Sequence, residues 1–343
     1  KETNVLNDKV KIIDHEIQTR VITDDGREFI IYTDLGRWEK YLCSIAPEDT
    51  KQIRKMCSEM KKSEFLKPYS DPPGLRSLSS TISSMTGILP VLPLYLKYNR
   101  KNCREYFRKM DFKSQSLNHF LDSLYGSRDF SALAFIMMFA WFNQKNAGYL
   151  EGGSLPLAQR MTQKFLSLGG KLTTGKRVSK IVTEDDTAKG VILADGTEKQ
   201  ADYIISAADG HSTIFSMLDG KYLDRKISEA YEKWELFTPI VQVSFGINKM
   251  IESEIPVETF LTDNQSIGKT ILEHGYSIMN YCFDSTMAPQ GKSVIVMRYE
   301  TPWDLWENMD DNEYSKEKET IRADALSLLE KRYPGISQSI EVT

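Results

Sequence analysis

Gly152-Gly153-Ser154 stands immediately ahead of the run LPLAQRMTQKFLSL, whose apolar spacing is helical. A helix that begins this way offers unpaired backbone amides and the positive end of its dipole, surroundings suited to an anionic or carbonyl-rich cofactor. Capping and close backbone packing explain the same three residues equally well. The other reactive residue types are scattered. His15, His119, His211 and His274 form no i, i+4 pair, and Cys43, Cys57, Cys103 and Cys282 form no CxxC, so no metal site is indicated. Buried, reduced thiols and structural or exposed histidines are the expectation, although His211 follows a strand-like end where ligands commonly approach. GxSxG, Walker and GxGxxG signatures are all missing, which removes the main support for serine-hydrolase and P-loop chemistry. Adjacent carboxylates such as Asp24/Asp25, Asp185/Asp186 and Asp310/Asp311 sit in turn-like or acidic contexts and point apart. No catalytic acid or base can be named from the sequence.

The elements that position these residues come from 343 residues with 41% hydrophobic content, enough to bury a core and to make roughly two domains. A formal charge of −4 argues against nucleic acid as a partner, because such affinity rests on phosphate neutralisation. Residues 97–113 run against that balance, with Lys97, Arg100, Lys101, Arg104, Arg108, Lys109 and Lys113 facing only Glu105 and Asp111. A solvated helix face and a peripheral contact with anionic lipid both explain them. Residues 1–10 hold no apolar h-region, so no signal peptide is read and a cytoplasmic location is expected, peripheral to a membrane if the basic patch is used. The uncharged residues 77–96 are too rich in serine, threonine and proline to span a bilayer. FSALAFIMMFAWFNQ, residues 130–144, falls short of the ~20 residues a span needs and reads as a buried helix.

KVKII, then IQTRVI and EFIIYT around Asp24-Asp25-Gly26, read as strands with a hairpin, and residues 29–32, apolar on both faces, as a central strand. Asp34 should cap a helix over LGRWEKYLCSI, and Pro47 should open a second that ends near Lys62. Residues 63–74, with Pro68, Pro72 and Pro73, read as a linker. Residues 85–149 are helical in pattern. Beyond Phe237 strands return, in positions to rejoin the hairpin in one sheet, and residues 303–332 form an acidic helix or helix pair before IEVT begins another strand. Between these parts lies a different rhythm: the Gly-Gly-Ser helix closed by Gly169, then KLTT, RVSKIVT and GVILA, then the buried strand DYIIS ending in AADG. The expected fold is mixed α/β. Residues 1–147 and 219–343 make an α+β substrate domain of sheet and helical layer, and residues 148–218 an incomplete dinucleotide-binding layer.

The order of those blocks resembles the FAD-dependent oxidoreductases of the phytoene desaturase, carotenoid isomerase and retinol saturase group. That group shows a GGS-type helix, a "GG-x-hydrophobic" strand, "RV-x-x-I", "GV-x-L-x-DG" and "ISAAD" in this order. FDSTMAPQGKSVIVMRYET and RYPGISQSIEV are similar to two further blocks of the same group. The resemblance implies a flavin acting on an apolar, isoprenoid or polyene-like substrate by desaturation, saturation or isomerisation. It also implies that Gly152, Gly153 and Ser154 face the flavin, that the Val178 backbone addresses adenine, and that Ala207 and Ala208 let the cofactor approach a strand end. Strand packing accounts for Val178 equally well. Members of the group carry a GxGxxG unit and a second flavin-contacting glycine motif, so the chain is expected to be an internal fragment that binds FAD weakly or not at all. Phe135, Met137, Met138, Phe139, Trp141 and Phe142 either line a channel or make core. Apolar surface left uncovered would favour oligomers. A non-catalytic prenyl-binding protein, like the Rab GDP-dissociation inhibitors, has the same architecture and is the rival reading.

Overall fold

The computed structural model describes residues 5–7, 10–65, 89, 91–126, 130–234, 237–262 and 265–343. The chain divides into two compact units, Leu6–Leu155 with Thr238–Thr343, and Pro156–Phe237 with Lys1–Val5. In chain order the strands are β1 (Ile12–Ile13), β2 (Ile17–Ile22), β3 (Glu28–Tyr32), β4 (Tyr149–Leu150), β5 (Val178–Glu184), β6 (Thr187–Leu193), β7 (Glu198–Gln200), β8 (Ile240–Ile247), β9 (Val257–Phe260), β10 (Ser266–Ile267), β11 (Thr270–Ile271), β12 (Tyr276–Asn280), β13 (Ser293–Glu300) and β14 (Ile340–Val342). The helices are α1 (Leu35–Ile45), α2 (Thr50–Lys62), α3 (Leu92–Tyr98), α4 (Cys103–Met110), α5 (Gln115–Leu121), α6 (Ala132–Asn143), α7 (Ser154–Ser167), α8 (Arg225–Lys233) and α9 (Asp311–Arg332).

The larger unit is built on a seven-stranded sheet of order β14-β8-β13-β12-β9-β2-β3. Every pairing is antiparallel except β2 with β9. The hairpin and the returning strands therefore share one sheet, as their alternation predicts. β3 is the outer strand rather than a central one. Its edge is not bare, because the Ile30 N–H donates to Tyr41 Oη of α1 at 3.2 Å, which answers a backbone donor left open at a sheet edge.

Two hydrophobic cores hold this unit. The hairpin and helices α1 to α6 make the first, where Trp38 stacks on Phe139 with ring centroids 4.3 Å apart. The sheet and α9 make the second, with Phe245, Ile295 and Met297 against Ala325 and Leu329. α6 is the buried helix its composition predicts, and Phe135 and Phe139 are fully enclosed core residues. No helix among the described residues is long and apolar enough to cross a membrane. Of the expected linker, residues 63–65 form a short 3-10 turn, and the remainder lies outside the described residues.

In the smaller unit β5, β6 and β7 form an antiparallel meander, accompanied by most of α7, a π-helical turn over Ser212–Met217, and α8. Two expected strands are missing. KLTT is irregular, and DYIIS is neither a strand nor buried, with Tyr203 88% and Ile205 92% exposed. A strand needs a partner for its backbone groups, and β6 and β7 pair only within the meander. Val5 and Ile181 are the buried hydrophobic side chains described in this unit, and neither α7 nor α8 buries a residue.

Candidate functional site

Strand β4 pairs with β1, Leu150 opposite Ile12, and delivers the chain into the Gly-Gly-Ser turn. Gly152 and Gly153 have φ of +85° and +74°, a region that only glycine occupies without strain. The Gly153 N–H closes the turn onto Leu150 O at 2.8 Å, and Ser154 begins α7. The Gly152 N–H donates to Asp284 Oδ2 at 2.7 Å, and Tyr149 Oη donates to the same oxygen at 3.0 Å. The other carboxylate oxygen accepts from the Thr286 N–H and hydroxyl at 2.9 and 2.7 Å. Burial works against ionisation of Asp284, but the bonds from Thr286, Gly152 and Tyr149 outweigh it and hold the pKa below the ordinary carboxylate value. Asp284 belongs to FDSTMAPQGK, so two of the sequence blocks that carry the family resemblance are joined through one carboxylate.

Beside this knot is a cavity of about 600 Å³ within the larger unit. Phe142 and Asn143 close it at the end of α6. Tyr149, Val257, Met279, Tyr281 and Phe283 supply an apolar and aromatic wall, and Asp14, His15 and Arg37 a polar margin. His15 packs edge-on against Phe283 with centroids 4.4 Å apart, and its burial pulls the imidazole pKa down, which keeps the ring neutral at pH 7. Gln18 Oε1 is shut off from solvent with no hydrogen-bond partner among the described residues. Burial and then the neighbouring Asp284 carboxylate push the Tyr149 phenol pKa up, so it remains a donor. Tyr149 thereby belongs to both the cavity wall and the glycine turn.

Sequence reasoning did not find this cavity. His15, Tyr149, Met279 and Phe283 come from separate segments, and periodicity marks which face a residue occupies but not which faces enclose a space. Of the apolar run in α6 only Phe142 reaches the cavity; Phe135 and Phe139 are core. The cysteines are free, with Cys57 and Cys103 buried and their pKa values pushed up to about 12 by desolvation, whereas Cys43 and Cys282 are half-buried.

Val178, Ala207 and Ala208 lie in the smaller unit. Val178 begins β5, the outer strand of the meander, whose far edge pairs with no strand among the described residues. Ala207 and Ala208 are exposed ahead of the Ser212–Met217 turn, where His211 stacks on Phe215. On α7 the Arg160 Nη1 is hidden from solvent and has no acceptor among the described residues, which costs stability unless an acceptor is supplied. An open strand edge, exposed small residues and an unanswered guanidinium fit part of a dinucleotide. A glycine-rich phosphate loop has no counterpart in this chain.

A mixed sheet bearing a helical layer, interrupted by a helix and meander, places the protein in the fold class of flavin-dependent oxidoreductases. The chain belongs to the flavin containing amine oxidoreductase family, whose model matches residues 5–340. It is 27% identical to the chloroplastic prolycopene isomerase of Arabidopsis thaliana over 198 residues, 56% of this chain and 33% of that protein. It is 23% identical to the 4,4'-diaponeurosporene oxygenase of Staphylococcus haemolyticus over 340 residues, 95% of this chain and 66% of that protein. The solved structure of an oxidoreductase from Methanosarcina mazei superposes with a TM-score of 0.53 at 17% identity, covering 97% of this chain and 68% of that one. The match spans about a third of the length of the prolycopene isomerases. The prolycopene isomerases fall in the group that the Gly-Gly-Ser, RVSKI and ISAAD blocks resemble.

Proposed function

We propose that this chain forms the substrate-handling part of a flavin-dependent oxidoreductase acting on an apolar polyene, by desaturation, saturation or isomerisation. The observation that carries the reading is Tyr149, which lines an aromatic cavity and is tied through Asp284 to the glycine turn at the start of α7. Gly152, Gly153 and Ser154 would meet the flavin, the Val178 backbone the adenine, and Ala207 and Ala208 would leave room for close approach. A flavin held at the glycine turn would supply hydride transfer, so the chain's own residues need include no conspicuous acid–base pair. The chain's own residues do the rest. Phe142, Tyr281 and Phe283 exclude water and hold an apolar ligand, neutral His15 adds no charge beside it, and Asp284 fixes the turn against which the ligand rests.

The test is anaerobic mixing of the gene's complete product, loaded with FAD in its oxidised form and, separately, in its dithionite-reduced form, with acyclic and cyclic polyenes. Loss of the visible band of oxidised flavin, return of that band from reduced flavin, or a new double-bond isomer by chromatography is expected. Polyenes that bind without bleaching the flavin and without any product would replace the enzyme with a binding protein.

A further inference from the structure

Strand β2 carries one residue more than its partner where it borders the cavity. Ile17 lies opposite Tyr32 and Thr19 opposite Ile31, so Gln18 is the extra residue of a β-bulge. A bulge re-aims a side chain that strict alternation would send to the other face. Arg20, two residues on, lies 3.5 Å from Glu258, whose carboxylate is held by Arg332 of α9. Val257, the neighbour of Glu258 on β9, belongs to the opposite face, where it pairs with Met279 and lines the cavity. Alternation from Arg20 would put Gln18 on the α9 side. Gln18 instead lines the cavity with Val257 and Met279.

The neighbouring polar groups are answered or hydrated. Glu16 accepts from Arg37 Nη1 at 2.7 Å, and Asp34 accepts from the Arg37 N–H at 2.6 Å. The Thr33 hydroxyl donates to His15 O at 2.7 Å. Asn143 accepts from the Leu35 N–H at 2.8 Å and donates to Glu64 Oε1 at 2.6 Å. Asp14 and Lys145 are exposed to water. Gln18 Oε1 has neither water nor a donor among the described residues, a state that penalises the empty site. The last torsion of a glutamine is broad, so the carboxamide turns at little cost to present Oε1 to a donor entering the cavity.

We propose that Gln18 is a specificity-determining residue that accepts a hydrogen bond from a hydroxyl on the ligand, so that the cavity selects an isoprenoid alcohol over the corresponding hydrocarbon. The apolar chain lies against Phe142, Tyr281 and Phe283, and a cavity of about 600 Å³ has room for it. A neutral donor suits the position better than an ammonium, whose desolvation a single carboxamide does not repay. This assignment rests on the reading of the cavity as the substrate site, and it adds which end of the substrate is recognised.

The test is partition of geranylgeraniol, its methyl ether and the matching hydrocarbon from cyclodextrin onto the gene's complete product loaded with FAD. The ether keeps the chain and the oxygen and loses only the donor. The ratio of alcohol to ether affinity should fall by about tenfold in Gln18→Met, which keeps the length of the side chain and removes the amide. Thermal unfolding should not weaken, because Oε1 has no partner to lose. Should Gln18→Met fail to fold, Gln18→Asn, one methylene shorter, is expected to show the same fall. An alcohol that does not bind the wild type, or a ratio that the substitution leaves unchanged, overturns the proposal. So does a fall produced by His15→Gln and not by Gln18→Met, which would move the contact to the imidazole. Turnover separates this assignment from the reading beneath it. Equal reaction with alcohol and hydrocarbon leaves the flavin enzyme standing and removes the role of Gln18. A preference for the alcohol that depends on Gln18, with no change in flavin and no product, keeps the contact and removes the enzyme.

Discussion

The amide of Gly152 and the carboxylate of Asp284, 132 residues apart, meet at 2.7 Å and fix the start of α7 to the loop after β12. Asp284→Ala would leave the Gly152 N–H, the Tyr149 hydroxyl and the Thr286 N–H without their acceptor, at a cost of about 2–4 kcal/mol. Asp284→Asn should lose almost as much, because its NH2 group would face donors. Urea unfolding of the three proteins measures this directly. The pH dependence has a definite sign. The folded pKa lies below the unfolded value of about 3.9, so the contribution is complete above that value and disappears as pH falls below it. The gap between wild type and Asp284→Asn should therefore narrow below about pH 4. A gap that stays constant with acidification would mean that Asp284 is not ionised in the fold.

Much of this architecture can be read from alternation and capping. Ile17 to Ile22 alternates and is a strand, Asp34 caps α1 by accepting from the Arg37 N–H at 2.6 Å, and Val243, Phe245 and Ile247 line one face of β8. Residues 202–206 misled for a physical reason. Tyr203 and Ile205 have strand-like composition, but strand formation depends on a neighbouring strand, which composition does not report. β3 misled in the opposite way, since apolar residues on both faces suit a central strand, yet β3 ends the sheet, with Phe29 and Ile31 buried and Ile30 and Tyr32 only half-buried. The glycine turn was visible because positive φ demands a specific residue. Its anchor was not, because nothing local to Asp284 indicates a partner 132 residues away.

Glu258, 3% exposed on β9, receives a forked pair of bonds from Arg332 at 2.7 and 2.8 Å and lies 3.5 Å from Arg20. Its removal strands two guanidinium groups at the junction of sheet and α9. Loss of one partner of a fully buried pair costs about 3–5 kcal/mol. Both arginines retain some exposure, 28% and 35%, and can rehydrate, so Glu258→Ala is expected to cost about 1–3 kcal/mol. Glu258→Gln keeps acceptor geometry for one bond and should cost less. Equal losses for the two variants, measured by thermal unfolding, would assign the whole effect to the charge, whereas a loss confined to Glu258→Ala would assign it to packing.

His15 is the titratable residue of the cavity wall whose state changes nearest to physiological pH. Burial lowers its pKa from the ordinary 6.5. Its neutral form therefore supports the fold above that value, and the support is lost as pH falls through the lower folded pKa. The imidazole C–H resonance, identified by its disappearance in His15→Gln, should titrate with a midpoint below 6.5. Affinity for an apolar ligand should drop over the same range, because protonation places a cation 4.4 Å from the Phe283 ring in a cavity that favours apolar occupants. A midpoint at or above 6.5 would contradict the buried, neutral ring.

The smaller unit sets the last expectation. Val5 and Ile181 are its only described buried hydrophobic residues, while Phe165, Leu168, Tyr203, Ile205 and Trp234 are between 50% and 92% exposed. Apolar surface of that extent is normally covered. The same unit offers α7, an open β5 edge and an unpartnered Arg160 Nη1, without a glycine-rich loop to hold a pyrophosphate. The 343-residue chain should therefore retain less than stoichiometric FAD through gel filtration and should associate with itself as concentration rises. Sedimentation velocity across a hundredfold range of protein concentration, together with the visible flavin spectrum, reads both. Trp234→Ser with Leu168→Ser should reduce the association without lowering the stability of the larger unit. A monomer at every concentration, carrying one flavin per chain, would mean that these faces already complete the dinucleotide site among themselves.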